Sequence, residues 1–150
     1  MAKARILCIE DNPEIIDLIR LILERHDFEV EGAVGGREGL DAVLRQPPEL
    51  ILLDLMMPDM DGWEVYREIK SRRDLRDIPV IVVTAKAQEI DRVLGLQIAG
   101  VDAYITKPFD PQDLEATVDR VLGLPPRIGE GAGQGLETHA RHETQEPETP

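Results

Sequence analysis

The chain has 150 residues, 42% of them hydrophobic but only 3% aromatic, and a formal net charge of −13. That is the length of one domain with an aliphatic core. The negative charge argues against nucleic acid or an anionic membrane as a direct partner, and leaves room for a cationic partner or a metal ion.

Cys8 is the single cysteine, which excludes an internal disulfide and fits a reducing compartment. The apolar run Ile6 to Ile9 is too short for a signal peptide and meets Glu10 and Asp11 at once. No stretch approaches the length of a membrane span. The expected location is the cytoplasm.

Arg5 to Ile9 is apolar after its first residue and is expected to form a buried strand ending at Glu10-Asp11. Asn12 is a good N-cap, and Pro13 fits the first helical position. Ile15, Ile16, Leu18, Ile19, Ile22 and Leu23 then recur at helical spacing, predicting a helix to about His26. Phe28 to Ala33 carries a weak strand pattern, broken by Gly35 and Gly36. A second helix is expected from about Arg37 to Arg45, stopping before Pro47-Pro48.

Leu50 to Leu53 is a continuous apolar run leading into Asp54, as suits a strand buried on both faces of a parallel sheet. A third helix is expected from about Gly62 to Arg73, with Asp61 as its cap and Asp59 as a solvated loop residue. Val80 to Val83 is a fourth strand ending at Thr84, followed by a fourth helix from about Gln88 to Ala99. Asp102 to Ile105 is a short fifth strand leading to Thr106-Lys107-Pro108. Asp110-Pro111 repeats the cap-plus-proline signal before a fifth helix carrying Leu114, Val118, Val121 and Leu122. From 124 to 150 the chain has almost no large apolar residues and no periodicity, so the expected organisation is a domain over 1–123 and a disordered tail over 124–150.

Five strands alternating with five helices indicate a doubly wound parallel sheet covered on both faces. Strand ends in such a sheet share one edge, where ligands bind. Glu10 and Asp11, Asp54, Thr84 and Lys107 would then converge. Each has a plain reading alone, as a helix-end charge, a turn residue, a cap or a surface lysine. Together they form a charged cluster that must take up protons or bind a cation. A hard divalent cation suits oxygen ligands, and one carboxylate left as nucleophile gives an acyl phosphate. Phosphoryl transfer needs positioning and charge neutralisation, which a cation, the Lys107 ammonium and the Thr84 hydroxyl would supply.

Asp54-Leu-Met-Met-Pro-Asp-Met-Asp-Gly62, with Glu10-Asp11 upstream, Thr84-Ala85 between and Lys107-Pro108-Phe109 downstream, closely resembles the receiver domains of two-component response regulators, in order and spacing over about residues 4 to 122. The resemblance implies a (βα)5 flavodoxin-like three-layer α/β sandwich with strand order 2-1-3-4-5. It implies that Asp54 is the phosphoacceptor for a sensor histidine kinase or phosphotransfer protein. Glu10, Asp11, Asp54 and the backbone carbonyl of Met56 would hold Mg2+ (or Mn2+), Glu10 reaching the metal through water because of its longer arm. Lys107 would contact the phosphoryl oxygens, Thr84 would swing toward them, Tyr104 would turn inward, and Ala85 would leave the site open. The readout would be the surface of the fourth helix, fifth strand and fifth helix, which is also a candidate homodimer face, with Arg92, Asp102 and Arg120 as ion-pair formers.

Such a protein is a phosphoacceptor rather than an enzyme, and its downstream target is a protein. The expectation is a stand-alone receiver; the alternatives are the receiver part of a longer regulator or a scaffold that takes no phosphate. A phosphatase of the haloacid-dehalogenase type needs an aspartate at the position of Met56, and no P-loop pattern is present.

Overall fold

The computed structural model describes residues 3–85 and 101–125. The expected fourth helix, Arg92 and all but the first two residues of the expected tail lie outside them. The chain divides into a unit ending at Pro108 and a second beginning at Phe109.

In the first unit β1 (Arg5–Glu10), β2 (Glu29–Val34), β3 (Leu50–Asp54), β4 (Val80–Thr84) and β5 (Ala103–Thr106) form one sheet in the order β2-β1-β3-β4-β5. Every pairing is parallel. This is the expected flavodoxin-like α/β order, and the central strands are apolar on both faces because both are covered. Residues Leu7, Ile9, Ile51, Leu53, Val80 and Val82 alternate onto one face, where they pack with Val43, Val65 and Ile69 of α2 (Gly36–Arg45) and α3 (Gly62–Lys70). On the other face α1 (Pro13–Arg25) lies so close to β2 that a Cβ on Gly32 would strike the Ile16 side chain.

Local chemistry sets the helix ends. The Asn12 side chain accepts from the Glu14 N–H at 2.9 Å, and Asp61 accepts from the Trp63 N–H at 2.9 Å, as their cap positions predict. Helix α3 stops at Lys70, earlier than the expected Arg73. The Ser71 hydroxyl donates to the Glu68 carbonyl, and the Lys70 ammonium donates to the carbonyls of Arg76 and Ile78. These bonds close a turn that buries Leu75 and delivers the chain to β4.

In the second unit one helix spans Pro111–Val121, and Asp110 caps it through the Gln112 N–H at 2.9 Å. Asp102, in the first unit, accepts a hydrogen bond from the Val80 N–H at 2.9 Å. No helix among the described residues is long and apolar enough to cross a membrane.

Candidate phosphoacceptor and metal site

Strands β1 and β3 each run one residue further than the apolar runs, so Glu10 and Asp54 occupy final strand positions. Their backbones are held by the sheet, and their residues are 2% and 3% exposed. Asp11 follows in the next, more open position. Carboxylate oxygens of Glu10, Asp11 and Asp54 lie within 4.8 Å of one another.

Lys107 enters from the far edge. Thr84 and Thr106 are register partners, and the Lys107 N–H donates to the Thr84 carbonyl at 2.8 Å. That backbone bond sets the start of the lysine side chain. Its ammonium then donates to Glu10 Oε1 at 2.8 Å and stands 3.5 Å from Asp54 Oδ2. The other Glu10 oxygen accepts from the Asn12 N–H at 3.2 Å, and Asp54 Oδ1 accepts from the Met56 N–H at 3.1 Å. The peptide bond between Lys107 and Pro108 is cis.

The electrostatics follow from burial. Loss of water pushes the Glu10 carboxyl up to about 7, with the Asp54 charge adding and the Lys107 hydrogen bond opposing. Burial also raises Asp54, helped by Asp11 and opposed by the Met56 N–H and Lys107. Burial disfavours the Lys107 ammonium, but the Glu10 hydrogen bond and the Asp54 charge outweigh it, and its pKa rises. Cys8, one turn of the pleat away, is pushed up to about 12, chiefly by burial, and is an inert thiol. A cluster of three carboxylates and one ammonium is therefore short of positive charge.

Thr84 ends β4 fully buried, Ala85 beside it is exposed, and Tyr104 on β5 is 37% exposed. Met56 opens the loop after Asp54 with its side chain half exposed, while Met57 is buried.

Asp59 is exposed, as its place in a polar loop suggests, but its carboxylate is also engaged by backbone. Its Oδ1 accepts from the Gly36 N–H at 3.0 Å and its Oδ2 from the Arg37 N–H at 3.1 Å. It thus caps α2 from 23 residues away, where the N-cap residue Gly35 (φ 100°) has no side chain to do so. The hydrogen bonds from Arg37 and Gly36 hold its carboxyl below the usual range. The one hint in sequence is a helix start that lacks a capping residue.

Gly62 shows a second such constraint. Its N–H donates to the Leu55 carbonyl at 3.1 Å, and an added Cβ would collide with the Asp54 carbonyl and stand 2.6 Å from Leu55 Cα.

The response regulator receiver domain model matches residues 6–119. The chain is 39% identical over 128 residues to the DNA-binding dual master transcriptional regulator RpaA of Synechocystis, covering 85% of this chain and 53% of that protein. It spans about half the length of the curated relatives it matches. Among solved structures, the receiver domain of the sensor histidine kinase PA1611 from Pseudomonas aeruginosa, with magnesium coordinated in its active-site cleft, is 34% identical with a TM-score of 0.74, over 81% of this chain and 99% of that one. A CheY-like receiver domain protein from Methanospirillum hungatei is 35% identical with a TM-score of 0.73, over 81% and 95%.

Proposed function

The chain belongs to the response regulator receiver domain family, and from that premise we propose that Asp54 is its phosphoacceptor. One Asp54 oxygen attacks the phosphorus of a phosphohistidine on a sensor histidine kinase or phosphotransfer protein. The P–N bond breaks, the imidazole leaves with the electron pair, and an aspartyl phosphate remains. Glu10, Asp11, Asp54 and the Met56 carbonyl are the residues to hold Mg2+ or Mn2+. The donor set fits: three carboxylates with oxygens inside 4.8 Å are hard ligands lacking positive charge. The magnesium in the PA1611 receiver supports the same choice. Bound there, the cation neutralises charge on the carboxylates and on the phosphoryl oxygens.

Lys107 holds Glu10 before reaction and turns to the phosphoryl oxygens after it. Glu10 already accepts hydrogen bonds at both oxygens, which supports its acting on the metal through water. The Thr84 hydroxyl bonds the phosphoryl group only once it is present, and that differential contact biases β4 and β5, with Tyr104 following inward. Ala85 leaves the approach open. The chain is thus a phosphoacceptor that assists its own phosphorylation and dephosphorylation rather than an enzyme with a separate substrate. It works in the cytoplasm through the receiver over 1–123 and signals to a protein target rather than to nucleic acid or membrane.

The observation that carries this reading is the buried Glu10 and Asp54 carboxylates sharing Lys107 at the strand ends, with Asp11 beside them. Incubation with a small acyl phosphate and Mg2+, followed by intact mass, tests it. One added phosphoryl group is expected, absent in Asp54→Asn and in chelator. A chain that gains no Asp54-dependent mass is a scaffold instead.

A further inference from the structure

We propose that Asp59 is a positioning residue for the divalent-cation and phosphoryl site, acting through the loop that follows Asp54. The inference rests on the reading of Asp54 and Met56 given above.

The loop from Leu55 to Asp61 carries Met56, whose N–H orients Asp54 and whose carbonyl is the proposed metal ligand. Its base is closed by the Gly62 N–H on the Leu55 carbonyl. Its outer part has another anchor, the bidentate grip of Asp59 on the first two N–H groups of α2. That grip is close-fitting: a Cβ on Gly36 would stand 2.8 Å from Met60 Cβ and 3.0 Å from Val65 Cγ2. The gripped turn is itself tied to the site, because the Gly35 N–H donates to the Glu10 carbonyl at 3.1 Å.

A frame results: the end of β1, the start of α2, Asp59, and the loop back to Asp54. It links the backbones behind Glu10, at the end of β1, and Met56, in the loop after β3, two members of the proposed ligand set. The exposed Met56 side chain gives its own carbonyl no anchor; the chain that follows is held by Met57 in the core and by Asp59 on α2. Partners that orient metal ligands without touching the metal commonly govern affinity.

The test uses the full chain as wild type, Asp59→Ala, Asp59→Asn and Ser71→Ala, with Mg2+ titrated by calorimetry and thermal midpoints measured in chelator. Asp59→Ala should raise the Kd for Mg2+ roughly 10-fold, and Asp59→Asn, which keeps one acceptor oxygen, should fall between it and wild type. Phosphoryl uptake should slow at low Mg2+ and recover as Mg2+ is raised. Ser71→Ala removes a bond at the other end of α3 and should lower the midpoint without moving the Kd. Wild-type Mg2+ affinity in Asp59→Ala, whatever its midpoint, would mean that Asp59 is a helix cap only, and overturns the proposal. If Asp59→Ala does not fold, an unchanged Kd in Asp59→Asn overturns it equally. A wild-type chain that binds no Mg2+ overturns the reading of the Asp54 site itself, and this inference with it.

Discussion

At the edge where the strands begin, the Arg5 N–H donates to Glu49 at 2.6 Å and the Arg5 guanidinium to Glu31 at 2.7 Å, while Arg45 reaches the second Glu31 oxygen at 3.1 Å. At the edge where the strands end, Glu10 and Asp54 share Lys107, with the Asp11 carboxylate beside them. Both are networks of carboxylates and cations across neighbouring strands. The first is balanced in sign, and although its Arg5 side chain is 15% exposed, its Glu31 and Arg45 side chains are 34% and 65% exposed. The second has an excess of negative charge, with the Glu10 and Asp54 side chains at 3% and 4%. Charge that is paired and wet contributes little beyond local order. Charge that is unbalanced and dry retains an unmet demand for a cation, and that demand is what a binding site requires.

The comparison can be broken most severely at Lys107. Removing one partner of a buried ion pair costs about 3–5 kcal/mol; Lys107 keeps some water, so Lys107→Ala should cost about 2 kcal/mol in chelator. Saturating Mg2+ should return part of that loss, because the ion binds only the folded site. Denaturant unfolding with and without Mg2+ measures both, and an equal loss in the two conditions counts against the charge deficit. Gly62→Ala comes next. Its methyl group meets the backbone of Asp54 and Leu55, which a strand end cannot easily yield, so about 1–3 kcal/mol should be lost. Phosphoryl uptake should slow with it, since the displaced atoms belong to Asp54, the proposed acceptor, and to Leu55.

Asp59→Ala removes a cap worth about 1 kcal/mol, a contribution whose size depends on pH. The Arg37 and Gly36 N–H groups depress the folded-state pKa of Asp59 below its ordinary 3.8. Its contribution is therefore full above 3.8 and is lost as pH falls through the depressed folded value. Unfolding curves of wild type and variant should differ at neutral pH and converge in strong acid. Smallest is Glu31→Gln at the opposite edge, expected to cost about 0.5 kcal/mol. The difference should fade in about 1 M salt, where exposed charges are screened within a few ångströms.

Much of this was legible in the chain. The unbroken runs Ile6–Ile9, Leu50–Leu53 and Val80–Val83 required strands covered on both sides, and the helical spacings between them required a doubly wound sheet. Asn12, Asp61 and Asp110 declared their helix starts because a cap and its N–H partner are two residues apart. Asp59 did not, because its partners are 22 and 23 residues away and only the folded loop brings them together. The end of α3 is hidden in the sequence for a related reason: Ser71 to Arg73 are compatible with helix, and the turn that stops it is closed by Lys70 reaching forward to Arg76 and Ile78.

What the sequence determined by itself was the order of strands and helices, and with it the arrival of Glu10, Asp11, Asp54, Thr84 and Lys107 at one edge. Periodicity and topology suffice for that, since parallel strands joined by helices must end on the same side. What only the tertiary structure decided was the state of those groups. Lys107 bonds Glu10 more closely than Asp54, Glu10 has both oxygens engaged, and the loop after Asp54 is held by α2. Those outcomes depend on distances of a few tenths of an ångström and on the exclusion of water, which no spacing along a chain encodes.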